Sequence, residues 1–195
     1  PLFVMSGLVP WLVFSRSTVS SMNALRENLD IVSKVYFPRL VLPISAIIRE
    51  AVEGLILLFI LFTIGFFFGY TPTIWVLCFI PLIGVVMAFS LGLGMSLGAV
   101  SVRIRDVGPI VTVALQVLLY ASPIVYPASL VPDSLQTVYQ ANPIYWFTSV
   151  SRFLILGQPV DLNWSLAVAG FIVFATFVLG LLIFSKLEKR AVDDQ

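Results

Sequence analysis

Apolar residues run along the chain in long blocks separated by short polar joints. Residues 44–68, 74–100, 107–125 and 164–184 are almost continuously apolar, without the alternation of a half-buried strand or the polar face of a soluble amphipathic helix. As helices rising about 1.5 Å per residue, they would cover roughly 28 to 40 Å, enough for a hydrocarbon core of about 30 Å. They predict four spans, and residues 1–14 predict most of a fifth. The chain opens at Pro1 inside that first run, and the expectation is a fragment lacking an N-terminal part. No internal repeat or low-complexity linker interrupts the pattern. The predicted fold is an all-α integral membrane bundle, one transmembrane domain over residues 1–195.

Two stretches depart from the spanning pattern. Between the third and fourth blocks, residues 126–162 form a long excursion in which PIYWFTSVSRFLIL, 143–156, is apolar but only 14 residues long. It is too short to span and predicts a re-entrant or interfacial helix. Asn142 before Pro143 suits an N-cap followed by the first helical position. Residues 69–73, by contrast, predict only a tight turn.

The second departure lies upstream of the first long block. Residues 26–36 predict a short amphipathic helix with Leu29, Val32 and Tyr36 on one face and Asp30, Ser33 and Lys34 elsewhere. Asp30 and Lys34 stand at i, i+4 in the favourable order. In KVYFPRLVLP, 34–43, Pro38 removes a backbone donor and pushes Phe37 out of the helical region, while Pro43 suits the first turn of the next helix. The joint is therefore a rigid corner, either an interfacial anchor with Tyr36 and Phe37 at the headgroups and Lys34 and Arg39 near phosphates, or a lever that carries a partner's push into the bilayer.

Composition agrees: 59% of residues are hydrophobic and 11% charged, with a mean hydropathy of +1.05. Basic residues set the orientation. With the first block running inward, Arg16, Arg26, Lys34, Arg39, Arg103, Arg105, Lys186, Lys189 and Arg190 fall on cytoplasmic stretches and only Arg152 falls outside, with Arg49 set aside inside a span. The C-terminus is thus expected in the cytoplasm. A net charge of +1 without a basic face gives no pull on nucleic acid. One cysteine and no histidine leave ordinary metal sites almost without ligands.

Several residues carry candidate chemistry. Arg49, Glu50 and Glu53 sit inside a predicted span, where charges are expensive and are usually paired or face water. Arg49 and Glu53 are spaced as an i, i+4 pair; the group either snorkels to the interface or lines a vestibule. Arg103 and Arg105 serve as topology determinants, and Asp106 is placed to cap the following helix. Gly94 with Gly98, and Gly65 with Gly69, form GxxxG spacings that favour close helix packing; GLGLG lies mid-span and is no dinucleotide loop. Tyr120, Tyr126, Tyr139, Tyr145, Trp146 and Phe147 gather near one end of the path as an interfacial aromatic belt.

KVYFPRLVLP at 34–43, SVRIRDVGPI at 101–110, YASPIVYP at 120–127 and ANPIYW at 141–146, in this order and at these distances from the spans, together resemble the permease subunits of ABC-2 type polysaccharide exporters, the Wzm, KpsM and TagG group. GLVPWLVFSRS at 7–17 is similar to that family's second span. The resemblance implies a six-span subunit of which five are present here, in the bacterial cytoplasmic (inner) membrane, with a second permease copy completing a channel. It implies two copies of a separate ABC ATPase subunit, which carry ATP and Mg, no cofactor being bound by this chain. The cargo implied is a lipid-linked glycan such as O-antigen, capsule or teichoic acid polymer.

In that scheme the segment 24–38 is similar to the coupling helix, with Asp30, Lys34, Tyr36, Phe37, Pro38 and Arg39 meeting the ATPase. Arg103, Arg105 and Asp106 hold a cytoplasmic gate or meet the ATPase. Arg49, Glu53, Tyr120, Tyr126 and Trp146 become channel or exit candidates, the aromatic faces serving as a track for sugar rings.

The sequence contains no GxxxxGK[ST] phosphate loop, so hydrolysis would come from a partner. A membrane enzyme would want a base beside a nucleophile, and Asp133 and Asp161 lack an evident one. An ion-driven carrier would want a midplane carboxylate, whereas Glu50 and Glu53 are expected near one end. Within the family, a drug or small-lipid efflux permease is the alternative.

Overall fold

The computed structural model describes residues 2–28, 40–70, 74–102, 104, 106–160 and 163–193. Seven α-helices occur among them: α1 (Leu2–Glu27), α2 (Val41–Phe67), α3 (Phe79–Ser101), α4 (Val107–Ala121), α5 (Asp133–Ala141), α6 (Pro143–Leu156) and α7 (Trp164–Asp193). No strand occurs among the described residues. Single 3₁₀ turns at Ile74–Cys78 and Ala128–Leu130 lead into α3 and towards α5. The chain is thus a polytopic helical bundle with, among the described residues, four helices long and apolar enough to span, in α1, α2, α3 with its 3₁₀ entry, and α7.

The predicted blocks at 44–68, 74–100 and 164–184 correspond to α2, α3 and α7, and Pro43 stands in the first turn of α2 as expected. Two predicted spans change length. The first continues well past residue 14, because the polar run SRSTVSS stays helical. Thr18 donates to the Phe14 carbonyl of the preceding turn at 2.8 Å, which satisfies its hydroxyl without leaving the helix. The block at 107–125 stops at Ala121, where Ser122 turns extended ahead of Pro123, the backbone that a following proline enforces. Fifteen residues give α4 a length of about 22 Å, short of a full core.

The topology has a hairpin end, holding the turn after α2 and residues 122–160, and a basic end, where α1, α3 and α7 finish and α2 and α4 start. Helix α1 is the central member. Half of its most apolar window is buried, against 22% for α2 and α3 and 11% for α7. Its Trp11, Val13 and Phe14 meet Val86 and Phe89 of α3, Leu115 of α4 and Phe147 of α6 in the main core. Phe14 stacks on Phe89 with ring centroids 5.4 Å apart. Phe59, Phe66 and Phe171 on α2 and α7 stay largely exposed, as side chains facing lipid would be.

Lipid tails are as apolar as leucine, so helix association rests on close fit and polar contacts rather than on removal from water. Both appear. A Cβ on Gly94 would stand 2.6 Å from the Cβ of Ser21, and one on Gly98 2.9 Å from the Met22 carbonyl; this GxxxG seats α1 on α3 within the subunit. Gly92 and Gly180 bring α3 and α7 so close that either Cβ would overlap the opposite backbone. The other spacing is not a packing motif: Gly69 lies beyond the end of α2 in the left-handed region at φ 74°. Ser90 of α3 and Ser151 of α6 donate to the Phe14 and Ser6 carbonyls of α1.

Candidate functional site

Polar chemistry inside the bundle concentrates on one groove. Helices α1, α2 and α4 enclose a cavity of about 480 Å³, with Trp11, Ser15, Arg16 and Ser20 from α1, Glu50 and Glu53 from α2, and Thr112 and Gln116 from α4. Arg16 Nη1 donates to Glu53 Oε2 at 2.6 Å. Ser20 Oγ donates to Glu50 Oε1 at 2.5 Å. Glu50 is only 6% exposed, and Arg49 reaches it no closer than 3.9 Å. The carboxylates are therefore held by α1, not by their own helix.

This corrects two expectations. Arg49 and Glu53 do not form the i, i+4 pair; Arg49 points away, its side chain 65% exposed, while Arg16 takes its place. Nor does Glu53 sit at one end of its helix: it comes twelve residues after Val41 in a 27-residue helix, roughly 18 Å into one of about 40 Å. Charges at that depth require partners or water, and here one pair and one hydrogen bond supply them beside an open cavity. The groove holds one cation, Arg16, and two acids, Glu50 and Glu53, with amide, hydroxyl and indole groups around them. Such a surface suits a hydroxyl-rich ligand better than a strongly anionic one.

The hairpin end is organised by short-range hydrogen bonds. Asn142 caps α6 by accepting from the Ile144 amide at 3.0 Å, and its amide donates to Ser122 Oγ at 3.2 Å. Gly157 closes the same helix at φ 68°, a conformation that costs other residues about 1–2 kcal/mol. Trp146 is 3% exposed and its indole donates to the Gln140 carbonyl at 2.7 Å. Phe147 belongs to the core, whereas Tyr120 is 72% exposed. Tyr126 donates to the Tyr120 carbonyl at 3.1 Å and lies 3.3 Å from the Tyr139 hydroxyl. Burial, then the Tyr139 hydrogen bond, push the Tyr126 phenol up to about 12.

A second, smaller cavity of about 190 Å³ opens beside Phe3, Tyr145, Trp146, Ser149 and Arg152. Arg152 is 5% exposed, donates from Nη2 to the Ile124 carbonyl at 2.7 Å and lies 3.9 Å over the Phe3 ring. Loss of hydration lowers its guanidinium to about 10.

Of the remaining candidates, Asp30, Lys34, Tyr36, Phe37, Pro38 and Arg39 lie outside the described residues, as do Arg103 and Arg105. The amphipathic helix expected at 26–36 and the segment 24–38 share that position, except that residues 24–27 complete α1 and residue 28 is a turn. Asp106 occupies the N-cap position of α4, but its side chain makes no capping hydrogen bond. Sequence pattern did not mark α5, whose polar face resembles loop composition, or the groove residues Trp11, Ser15, Arg16, Ser20, Thr112 and Gln116. The signal was the SRSTVSS run: a polar stripe that stays helical must face something other than lipid.

Comparison with known proteins places these features. The sequence profile of the ABC-2 type transporter family matches residues 2–156. The O-antigen export system permease protein RfbA of Klebsiella pneumoniae is 27% identical over 192 residues, 97% of this chain and 73% of its own. A protein of the same name from Myxococcus xanthus is 32% identical over 155 residues, 72% of this chain and 60% of its own. The polysialic acid transport protein KpsM of Escherichia coli is 24% identical over 200 residues, 97% and 74% of the two chains.

Proposed function

Since the chain belongs to the ABC-2 type transporter family, we propose that it is the permease subunit of an ATP-driven exporter moving lipid-linked polysaccharide or a related cell-surface polymer across the cytoplasmic membrane. The similarity to two RfbA permeases and to KpsM along most of the chain supports this cargo class. The observation that carries it is the polar groove: Arg16, Glu53 and Gln116, with Glu50 buried beside them, offer planar hydrogen-bonding groups to a hydroxylated substrate inside an otherwise apolar bundle.

In this reading two permease copies form the path, with the basic end and the C-terminus in the cytoplasm, the orientation that the distribution of Lys and Arg favours. Two ABC ATPase subunits dock there and supply ATP and Mg chemistry. The segment 24–38, with Asp30, Lys34, Tyr36, Phe37, Pro38 and Arg39, receives their motion. Arg103, Arg105 and Asp106 act at the cytoplasmic gate. Glu53 lines the groove and Arg49 acts along the path outside it, while Tyr120 and Tyr126 meet the glycan near the exit, where the buried Trp146 shapes the hairpin end.

The test is complementation of a deletion in the source bacterium, read as polymer at the cell surface. Loss of surface polymer with lipid-linked glycan accumulating inside, restored by this gene together with its ATPase, supports the proposal. Intact surface polymer with new sensitivity to drugs or lipids supports the efflux alternative instead. Lys34→Glu and Pro38→Ala are expected to uncouple ATP hydrolysis from export, and Arg105→Ala to insert normally but fail to export.

A further inference from the structure

A buried guanidinium needs a counter-charge, and Arg152 has none among the described residues. It uses Nη2 on the Ile124 carbonyl and its face on Phe3, while Nε is buried without a hydrogen-bond partner. No carboxylate lies within ion-pair distance of it among the described residues; the ion pairs there are Arg16 with Glu53 and Arg49 with Glu50. Arginine carries five donors in a planar fork, and removing that charge from water without a partner costs several kcal/mol in general. A purely structural latch between α6 and residue 124 is served as well by a neutral donor. What the charge adds is affinity for an anion.

The surroundings fit that use. Arg152 lines the cavity of about 190 Å³, whose other polar walls are Ser149, Gln158 and Tyr145. Gln158 is exposed at the mouth and Ser149 half-buried within it. The position is also defended sterically: a Cβ on Gly7 of α1 would lie 2.8 Å from the Ile124 carbonyl and 3.2 Å from Arg152 Nη2. Glycine there lets the carbonyl that holds the guanidinium approach α1.

We propose that this pocket at the hairpin end is an oxyanion site, in which Arg152 binds a phosphate or carboxylate and Ser149 and Gln158 supply neutral donors. The volume admits one phosphate headgroup or one acidic sugar residue. The shared chemistry is a singly or doubly charged oxyanion, whether from a membrane phospholipid or from an acidic group of a glycan. The site stands on its own geometry, independent of which cargo the chain exports.

The full chain, purified in phosphatidylcholine nanodiscs, is titrated with glycerol phosphate and with glucuronate, and separately reconstituted with phosphatidylglycerol replacing part of the phosphatidylcholine. Thermal unfolding and calorimetry are the readouts. Saturable binding of a soluble anion places the source in a glycan-like group; stabilisation by phosphatidylglycerol alone places it in lipid. In either case Arg152→Lys weakens binding about tenfold through loss of the fork, and Arg152→Met abolishes it. If Arg152→Met does not fold, Ser149→Val and Gln158→Leu, which crowd the cavity without touching the bond to Ile124, decrease affinity instead. Absence of any response to all three probes in the unaltered protein overturns the proposal, as does an equal response in Ser149→Val, Gln158→Leu and the unaltered chain.

Discussion

Arg16 of α1 and Glu53 of α2 meet at 2.6 Å, joining two spanning helices near the middle of the bundle, across 37 residues of sequence. Both side chains are about half exposed to the groove, so the pair is worth only about 0.2–1 kcal/mol if the groove is wet. Its larger effect is to aim two polar groups at the cavity. Arg16→Ala and Glu53→Ala each leave one charge alone at mid-depth. Export is expected to fall severalfold in each, and the double exchange of Arg16→Glu with Glu53→Arg to recover more of it than either single exchange. Polymer at the cell surface, normalised to permease in the membrane, measures this.

Gly92 and Gly180 set the crossing of α3 and α7, with no room for a side chain on either. Gly180→Val is expected to force the helices apart at a cost of about 1–3 kcal/mol, lowering the unfolding temperature in detergent and the yield of monodisperse protein. Gly170→Ala, on the same helix, has open space around it and is expected to change neither.

The two aromatic candidates near the exit should separate cleanly. Tyr120→Ala removes a side chain that is 72% exposed, so its effect is expected on export with stability unchanged. Trp146→Ala empties a buried site and strands the Gln140 carbonyl, which costs about 3–5 kcal/mol. Loss of export there is expected to follow loss of folded protein, as parallel thermal unfolding would show.

Tyr126 sets a pH limit on the hairpin end. Its folded value of about 12 lies above the ordinary tyrosine value of 10.0, so the neutral phenol is favoured by the fold. That contribution is fully present below about pH 10 and is lost as pH rises towards 12. An ultraviolet titration should show one tyrosine ionising later than the exposed ones, and Tyr139→Phe should bring it earlier by removing the phenol next to it.

The order and type of the elements were legible in the sequence because their causes are local. A run of apolar residues long enough for the bilayer declares a span wherever it stands. Pro43 and the Asn142–Pro143 pair declare helix starts through their own backbone chemistry, and α6 begins where they place it. The two misjudged ends, residue 14 and residue 125, are cases where a local rule was outweighed by another: back-bonded hydroxyls kept α1 helical, and Pro123 stopped α4 early.

What the sequence by itself determined was a polytopic α-helical membrane protein with a short capped helix in a long excursion. Only the tertiary structure decided that Arg16 rather than Arg49 holds Glu53, that Gly94 and Gly98 receive α1, that Trp146 is buried, and that Arg152 lines a pocket. The physical reason is the bilayer. In water, an apolar stripe on a helix marks the face that packs inward; in lipid, every face is apolar, so hydropathy says nothing about which helices become neighbours. Partner choice falls to a few small and polar residues, whose fit exists only once the helices are side by side.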